Sequence, residues 1–426
     1  MRTLPLATAL TLLLAACPAL AGGYYNPDFG TRRVGMLAVI GNPEDPSAVF
    51  HNPAAMVTMT GTHLYHSQTW VHADTGIKLY DSQGTLHPAG HEISPDFNIG
   101  FSPYFAMVTD AGTKKWRFGA ALFAPNAFAA SLPEDEPSRY HVTDALFVAA
   151  RATMAVAYDF TDRFSAGLSF SAMSVYLSAE RWMNPLVLND PDARFEDPAV
   201  LSPLDAKLKL DGFDLTWSMD AALFFRPTKD LRIGAVFGKG APISLEGDAT
   251  LTKADGTKDR SHQTTFMTIP FQLQGGLNWE FVPDFEVGFD VRYWHYQVFV
   301  EQRTVLSTPL MEQEELVEPK NYHNSVALAL GLLHRVTPTV TVMMGVQRDY
   351  SPVPAQTVGL ENPVGDRLGI ATGLRWQCRP DLRLGLGLMR NWFDLMDIQD
   401  SVTTPPTNAK GHGGLTSITF DVDWRL

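Results

Sequence analysis

Two cysteines in 426 residues are too few for a disulfide framework. Charge is also sparse: Asp, Glu, Lys and Arg make up 19% of the chain, and 46 acids outnumber 33 Lys and Arg to give a formal net charge of -13. No basic run breaks that excess, so a nucleic-acid partner, bound chiefly through clustered Lys and Arg, is excluded. After the first 21 positions there is no run of 18 apolar residues and the mean hydropathy is -0.06, which excludes membrane-spanning helices. A membrane β-barrel passes that filter, because its strands alternate and give no hydropathic peak. Catalytic signatures are missing as well, with no HExxH, no G-x-S-x-G and no phosphate loop ending in Gly-Lys-Ser/Thr. Disorder is excluded by an apolar content of 45% and an aromatic content of 11%.

The first residues read as an export signal. Met1 and Arg2 form a positive n-region, Leu4 to Ala16 an apolar h-region, and Ala19-Leu20-Ala21 a small-x-small cleavage site ahead of Gly22. Leu14-Ala15-Ala16-Cys17 also resembles a lipobox, which would lipidate Cys17. Cleavage after Ala21 is the favoured expectation, and it leaves Cys378 as the single thiol of the mature chain.

From Gly61 onward, segments of ten or more residues with alternating apolar character are divided by connections that are short and long in turn. The short ones, 110–114, 159–163, 226–230, 282–284, 335–338 and 379–381, are rich in Asp, Pro, Gly or Thr and read as hairpin turns. The long ones are 74–92, 132–145, 182–206, 245–262, 304–317, 351–364 and 395–412. Seven long and six short connections require fourteen strands, an even number that returns both ends of the wall to one side of the membrane.

Period two is clearest at the end of the chain, where Ile418, Phe420, Val422, Trp424 and Leu426 alternate with Thr419, Asp421, Asp423 and Arg425. Phe285, Val287, Phe289, Val291 and Tyr293 repeat it against Glu286, Gly288, Asp290 and Arg292. Lipid outside and a polar lumen inside demand this pattern, although a half-buried sandwich strand looks the same locally. The number and length of strands, the connection rhythm, the export signal and Trp70, Trp116, Trp279 and Trp294 near strand ends point to the barrel. Residues 22–60 do not alternate and are rich in Gly, Pro and Asn, yet Val34, Met36, Leu37, Val39, Ile40, Val49, Phe50 and Met56 call for packing. The inside of the barrel is the available place. The expected fold is therefore all-β: a 14-stranded antiparallel transmembrane β-barrel (61–426) with an N-terminal hatch, or plug (22–60), in the lumen and a signal peptide (1–21) before it.

Three local features bear on function. Pro125 lies in a strand-like run and supplies no ladder donor, so Ala124, Pro125, Asn126 and Ala127 predict a break in pairing or the end of the strand. The connection 182–206 holds Trp182, Leu186, Leu188 and Phe195 among polar residues, which fits an apolar capture groove, a protein contact or packing onto neighbouring loops. Six of the twelve histidines fall between His51 and His91, but His63 and His66 point to opposite faces of a strand, and no metal site or cofactor is expected.

Taken together, these residues resemble the outer-membrane long-chain fatty-acid and hydrophobic-compound transporters (the FadL/TodX, OMPP1 type) along nearly the whole mature chain. Asp45-Pro46-Ser47-Ala48-Val49-Phe50-His51-Asn52-Pro53-Ala54 is similar to the family's hatch motif. Asp349 to Gln356, followed by Pro363 and Asp366-Arg367, is similar to a late extracellular loop and the next strand. Ser165 to Arg181, ending Ala179-Glu180-Arg181, and Ile269 to Glu301 resemble a strand and a hairpin of the family. The terminal strand departs from the usual final aromatic, which the barrel assembly machinery reads, in carrying Leu426 after Phe420 and Trp424.

The resemblance implies passive uptake of fatty acids or other hydrophobic compounds across the bacterial outer membrane, with capture at the loops and release through an opening at Ala124 to Ala127. It places Arg181 against a substrate carboxylate, with Trp182, Leu186, Leu188, Phe195 and Lys320 as further contacts, and Phe50, Asn52, Pro53, Ala54 and Asp349 in the hatch or tied to it; an Arg181 paired with Glu180 or another acid, and an Asp349 that is an ordinary lumen carboxylate, are the equal alternatives. The family's second basic contact is replaced by Glu318, with Lys320 nearby, so a hydrocarbon fits as well as a fatty acid. The expected surroundings are outer-membrane lipid, lipopolysaccharide and the assembly machinery, and the expected state is a monomer. A structural or adhesive barrel with a sealed lumen is the alternative, and an enzyme is not expected.

Overall fold

Alternating strands close on themselves in the computed structural model, which describes residues 25, 28–86, 92–95, 98–195, 203–363, 365–394 and 396–426. The export signal, with its choice between Ala21 and Cys17, lies outside the described residues. In chain order the strands are β1 Thr62–Leu79, β2 Ile99–Thr109, β3 Trp116–Ser131, β4 Asp144–Thr161, β5 Phe164–Met183, β6 Ala206–Phe225, β7 Leu231–Gly238, β8 Ala241–Lys253, β9 Lys258–Ile269 and β10 Gln272–Val282. They continue as β11 Phe285–Trp294, β12 Glu301–Leu310, β13 Gln313–Pro319, β14 Ser325–Arg335, β15 Val340–Asp349, β16 Arg367–Arg379, β17 Leu382–Phe393, β18 Met396–Ile398 and β19 Ala409–Arg425. Among the described residues fourteen form the wall: β1 to β7, β10, β11, β14 to β17 and β19. Each is antiparallel to the next, and β19 pairs back onto β1 from His63↔Arg425 to Leu79↔Ala409.

The side-chain pattern is the reverse of a soluble protein's. On β5, Leu168 and Phe170 are 52% and 53% exposed on the lipid face, while Ser165, Ser169 and Ser171 between and beside them are buried. That inversion follows from a hydrocarbon solvent outside and a polar filling inside.

Two of the expected loops are strands. Residues 245–262 and 304–317 belong largely to the hairpins β8–β9 and β12–β13, which pair through β9 and β12 and join the outer half of β6 through β8. Lys239-Gly240 and Pro270-Phe271 interrupt the ladder without ending the strands' course, so the wall runs on into an extracellular sheet. Leu208, Ala249, Leu251, Leu306 and Leu310 give that sheet its own small core, and Gly256 turns β8 into β9 with φ 83.

Residues 28–60 fill the lumen. Their short helix Thr31–Met36 packs on β14 to β17 and β19, and the 3-10 turn Pro53–Thr58 on β3 to β6. Asn52 shows why Asn-Pro-Ala recurs there. Its side chain accepts from the Ala54 N–H at 3.1 Å and donates to the Ile40 carbonyl at 2.9 Å, while Pro53 begins the turn where no donor is needed. Wall carboxylates take the segment's free N–H groups: Asp421 from Thr31 at 2.6 Å, and Asp290 from Val39 at 2.7 Å and Ile40 at 3.2 Å. Arg32 pairs with Glu286 and Asp45 with Arg375. Phe29, Phe50, Tyr104 and Phe123 form an aromatic cluster, Phe29 lying 5.1 Å from Phe50 and from Tyr104 between ring centroids.

The wall yields where the segment's backbone comes closest: a Cβ on Gly234 would strike the Ile40 carbonyl oxygen, and one on Gly331 or Gly345 the Met36 carbonyl oxygen. Gly234→Val should therefore cost about 3 kcal/mol or more, since the obstacle is backbone and cannot rotate away. The expected result is a folded barrel with a lowered unfolding temperature and a protease-sensitive inner segment, read by heat-dependent gel mobility and limited proteolysis. Unchanged melting and protection would contradict the close approach.

Candidate functional site

A wall in lipid should hydrogen-bond without interruption, and it does not between β2 and β3. Their ladder runs from Thr109↔Phe118 to Tyr104↔Phe123 and stops. β2 continues, paired with β1 as far as His72↔Ile99, and β3 continues, paired with β4 as far as Ser131↔Asp144. Among the described residues the outer halves of β2 and β3 are not paired to each other. Pro103 is the first β2 residue past the last pair, and Pro125 stands where the β3–β4 register shifts between Phe123 and Asn126. Each proline removes a donor at the edge it occupies. Tyr25 of the inner segment forms an isolated bridge with Asn126. Ala124 and Ala127 pack with Val148 and Ala150 beside the bulge. Pro103 carries the same sequence signal as Pro125, but its significance needs the pairing register, which local pattern does not contain.

The outer face of the wall next to this break is concave. A cavity of about 810 Å³ there has Ala120 and Ala152 among its lining, with Phe105, Leu122, Met154 and Phe170 around them.

Above the break the extracellular loops enclose a cavity of about 80 Å³, with His141, Glu180, Arg181, Glu318 and Glu361 around an apolar interior that includes Phe128 and Leu316. Its cations are already matched. The Arg181 guanidinium lies 3.8 Å from Glu318 and donates to the Thr404 carbonyl at 3.3 Å, and the Lys320 ammonium is 3.2 Å from Glu318 and 3.3 Å from Glu361. Burial works against the Lys320 ammonium, but the Glu361 and Glu318 carboxylates overcome it and raise its pKa above the usual lysine value. Desolvation likewise opposes the Glu318 carboxylate, and Lys320 with Arg181 holds it below the usual range. Glu180 faces Lys207 and Lys209, each at 2.9 Å.

The roof over this cavity hangs on Arg194, which sequence pattern does not single out. It donates to the His141 ring at 3.0 Å, to the Pro406 carbonyl at 2.8 Å and to the Tyr80 carbonyl at 3.0 Å, joining four loops through one side chain. Asp205 fixes a second corner by accepting from Arg139, Tyr140 and Asn184.

The expected contacts are distributed unevenly over this site. Arg181 and Lys320 meet around Glu318. Trp182 packs with Tyr140, Val187 and Ala193, and Phe195 lies against the main core beneath Arg194. Leu186 and Leu188 are 45% and 36% exposed and are not among the residues lining the cavity. Phe50, Asn52, Pro53 and Ala54 are buried in the inner segment as described. Of the two readings of Asp349 the structure has the ordinary lumen carboxylate: it pairs with Arg367 at 2.8 Å on the neighbouring strand, while wall carboxylates hydrogen-bonded to the inner segment include Asp290, Asp421 and Glu286. The physical reason is register, since Asp349↔Arg367 is a direct cross-strand pair.

A closed barrel with a filled lumen and a locally unzipped wall defines the class of plugged outer-membrane transport barrels. The sequence pattern of the outer-membrane transport proteins of the OMPP1/FadL/TodX type matches residues 12–421, and the chain belongs to that family, whose members are transporter channels of the outer membrane. It is 20% identical to the long-chain fatty acid transport protein of Escherichia coli O6:H1 over 410 residues, 89% of each chain. Its fold is similar to that of a Pseudomonas aeruginosa FadL homologue (TM-score 0.81, 16% identity, covering 95% of this chain and 99% of that one). The Ralstonia pickettii toluene transporter TbuX shares the fold as well (TM-score 0.67, 17% identity, covering 94% and 98%).

Burial, then the Arg194 and Arg181 charges, push His141 well below the usual imidazole value of 6.5. Above that value both closed and opened loops hold it neutral. Below it, only an opened roof accepts the proton, so the closed roof loses stability as pH falls. Hydrogen exchange in residues 184–195, corrected for intrinsic rates, should rise between about pH 7.5 and about pH 5.5, and His141→Gln should flatten the rise. An equal rise in the variant would assign the effect to other groups.

Proposed function

We propose that the protein carries hydrophobic compounds passively across the outer membrane, taking them in beneath the extracellular roof and releasing them sideways into the bilayer between β2 and β3. The observation that carries this reading is the missing ladder between the outer halves of those strands, with a proline at each edge. A sideways exit spares an oily molecule the aqueous periplasm, and partitioning supplies about 0.8 kcal/mol per buried methylene. The concave outer face beside the break offers an apolar path into the membrane. The division into signal (1–21), hatch (22–60) and barrel (61–426) is part of the same reading.

The upper cavity of about 80 Å³ lies far below the usual size of ligand pockets, so entry requires the roof to lift. A substrate carboxylate would have to displace Glu318 from Arg181, whereas a neutral hydrocarbon would not. Accordingly, Arg181→Ala should weaken binding of a long-chain fatty acid and leave a neutral hydrocarbon unaffected. Equal loss of both would reject a carboxylate role for Arg181.

The route is tested by returning a donor to each edge. Pro103→Val with Pro125→Val should cut uptake of a labelled hydrophobic compound by cells about tenfold, with binding to the purified protein retained. Uptake at the parental rate would reject the sideways exit, and no uptake by the parent itself would leave a sealed, structural barrel.

A further inference from the structure

One buried guanidinium in the lumen has almost nothing to bind. Arg32, Arg33, Arg139, Arg292, Arg367 and Arg375 each have a carboxylate within 4.0 Å. Arg117 and Arg194 each bond to several carbonyl or ring acceptors. Arg151 is 4% exposed, and among the described residues its one hydrogen bond, of 3.4 Å, goes to the Asn126 side-chain oxygen and its Nε has no partner. Among the described residues no carboxylate lies within salt-bridge distance of it. A charge buried so poorly is costly unless something absent from the chain completes it.

Its position says where that something would sit. Arg151 pairs with Phe123, the last β3 residue before the register shifts, and Asn126 is the first residue after the shift. Tyr25, bridged to Asn126, brings a second buried polar group, its hydroxyl, toward the same place, with the Gln272 side chain beside it and Arg151 the first of the charges acting on it. The Asp220 carboxylate on β6 acts on Arg151 from beyond salt-bridge distance and accepts from the Ser169 hydroxyl at 2.9 Å, so it leaves the guanidinium's N–H groups open.

We infer that Arg151, with Asn126 and Tyr25, forms a seat for the carboxylate of an amphipathic, chain-bearing substrate at the inner mouth of the wall break. A guanidinium offers two parallel N–H groups that match a carboxylate's two oxygens, and the break gives the attached chain direct access to lipid. In the upper cavity a carboxylate must first displace Glu318 or Glu361 from the cations, so this lower seat is a second point of headgroup recognition, reached without that exchange. The inference rests on the sideways route proposed above.

The experiment compares oleate with its methyl ester, equal in chain and different in charge, in binding to purified protein and in uptake by cells, for the parent, Arg151→Gln and Arg151→Lys. Arg151→Gln should lose about tenfold or more in oleate affinity and leave the ester unchanged, with Arg151→Lys in between. Oleate bound as tightly by Arg151→Gln as by the parent, or equal losses for oleate and ester, overturns the seat. Heat-dependent gel mobility checks folding. Should Arg151→Gln fail to fold, Asn126→Ala with Tyr25→Phe replaces it, with a selective loss for oleate expected and none counting against the seat. A parent that takes up the ester and not oleate refutes the seat and keeps the transport reading, while a parent that takes up neither defeats the transport reading itself.

Discussion

Hydrocarbon offers no hydrogen-bond partner, so each backbone N–H and C=O in the wall must find one within the protein. Antiparallel pairing of each wall strand with both neighbours, and the return of β19 to β1, answer that demand. The same demand governs how a wall in lipid can be opened. An edge whose N–H groups point into lipid is expensive, and Pro103 and Pro125 lower the cost by having none. Asn126, the first residue past the shift, regains a partner in Tyr25 of the inner segment. Closure and opening are thus two results of one constraint.

A wall that is apolar outside has to be polar inside, and that decides how the inner segment is held. Its N–H groups go to Asp290 and Asp421, its Arg32 to Glu286, and its Asp45 to Arg375. Wall positions without a side chain, such as Gly234 and Gly331, let its carbonyls approach closely enough for those bonds to form. Matching of charge extends up to the roof, where Glu318 stands between Arg181 and Lys320. Arg151 differs from the other buried lumen arginines that face carboxylates in having none within salt-bridge distance among the described residues, and its place beside the wall break makes that informative.

Barrel, strand number and plug were legible in the sequence because each depends on short-range pattern. Dyad alternation, turn residues at 159–163 or 379–381, and a stretch near Asn52-Pro53 that does not alternate are local facts. Residues 245–262 misled, since Gly247 and Asp248 look like loop until β6 is known to run alongside and pair with them, and Asp255-Gly256 mark only a tight turn between two further strands. Arg194 and Asp349 show a second limit. What each binds depends on strand register or on loops more than a hundred residues apart, as with Arg194 and Tyr80, and period-two patterning is silent about both. Pro103 was as visible as Pro125, but one proline suggests a strand end, and only the pair across a shared edge suggests a seam.

The inner segment's attachments also bear on the direction of travel. An axial path to the periplasm would require parting buried pairs such as Arg32 with Glu286 and Asp45 with Arg375, together with the carboxylate bonds to Val39 and Ile40. Breaking one partner away from a buried pair is among the costlier changes a protein can undergo. Between the outer halves of β2 and β3 there is no ladder to break among the described residues, and the inner segment touches β3 there through the isolated bridge from Tyr25 to Asn126. Passage past that bridge leaves the anchored pairs intact. On the sideways route proposed above, a substrate that turns toward the wall leaves the rest of the inner segment in place and passes Tyr25 at its bridge to Asn126.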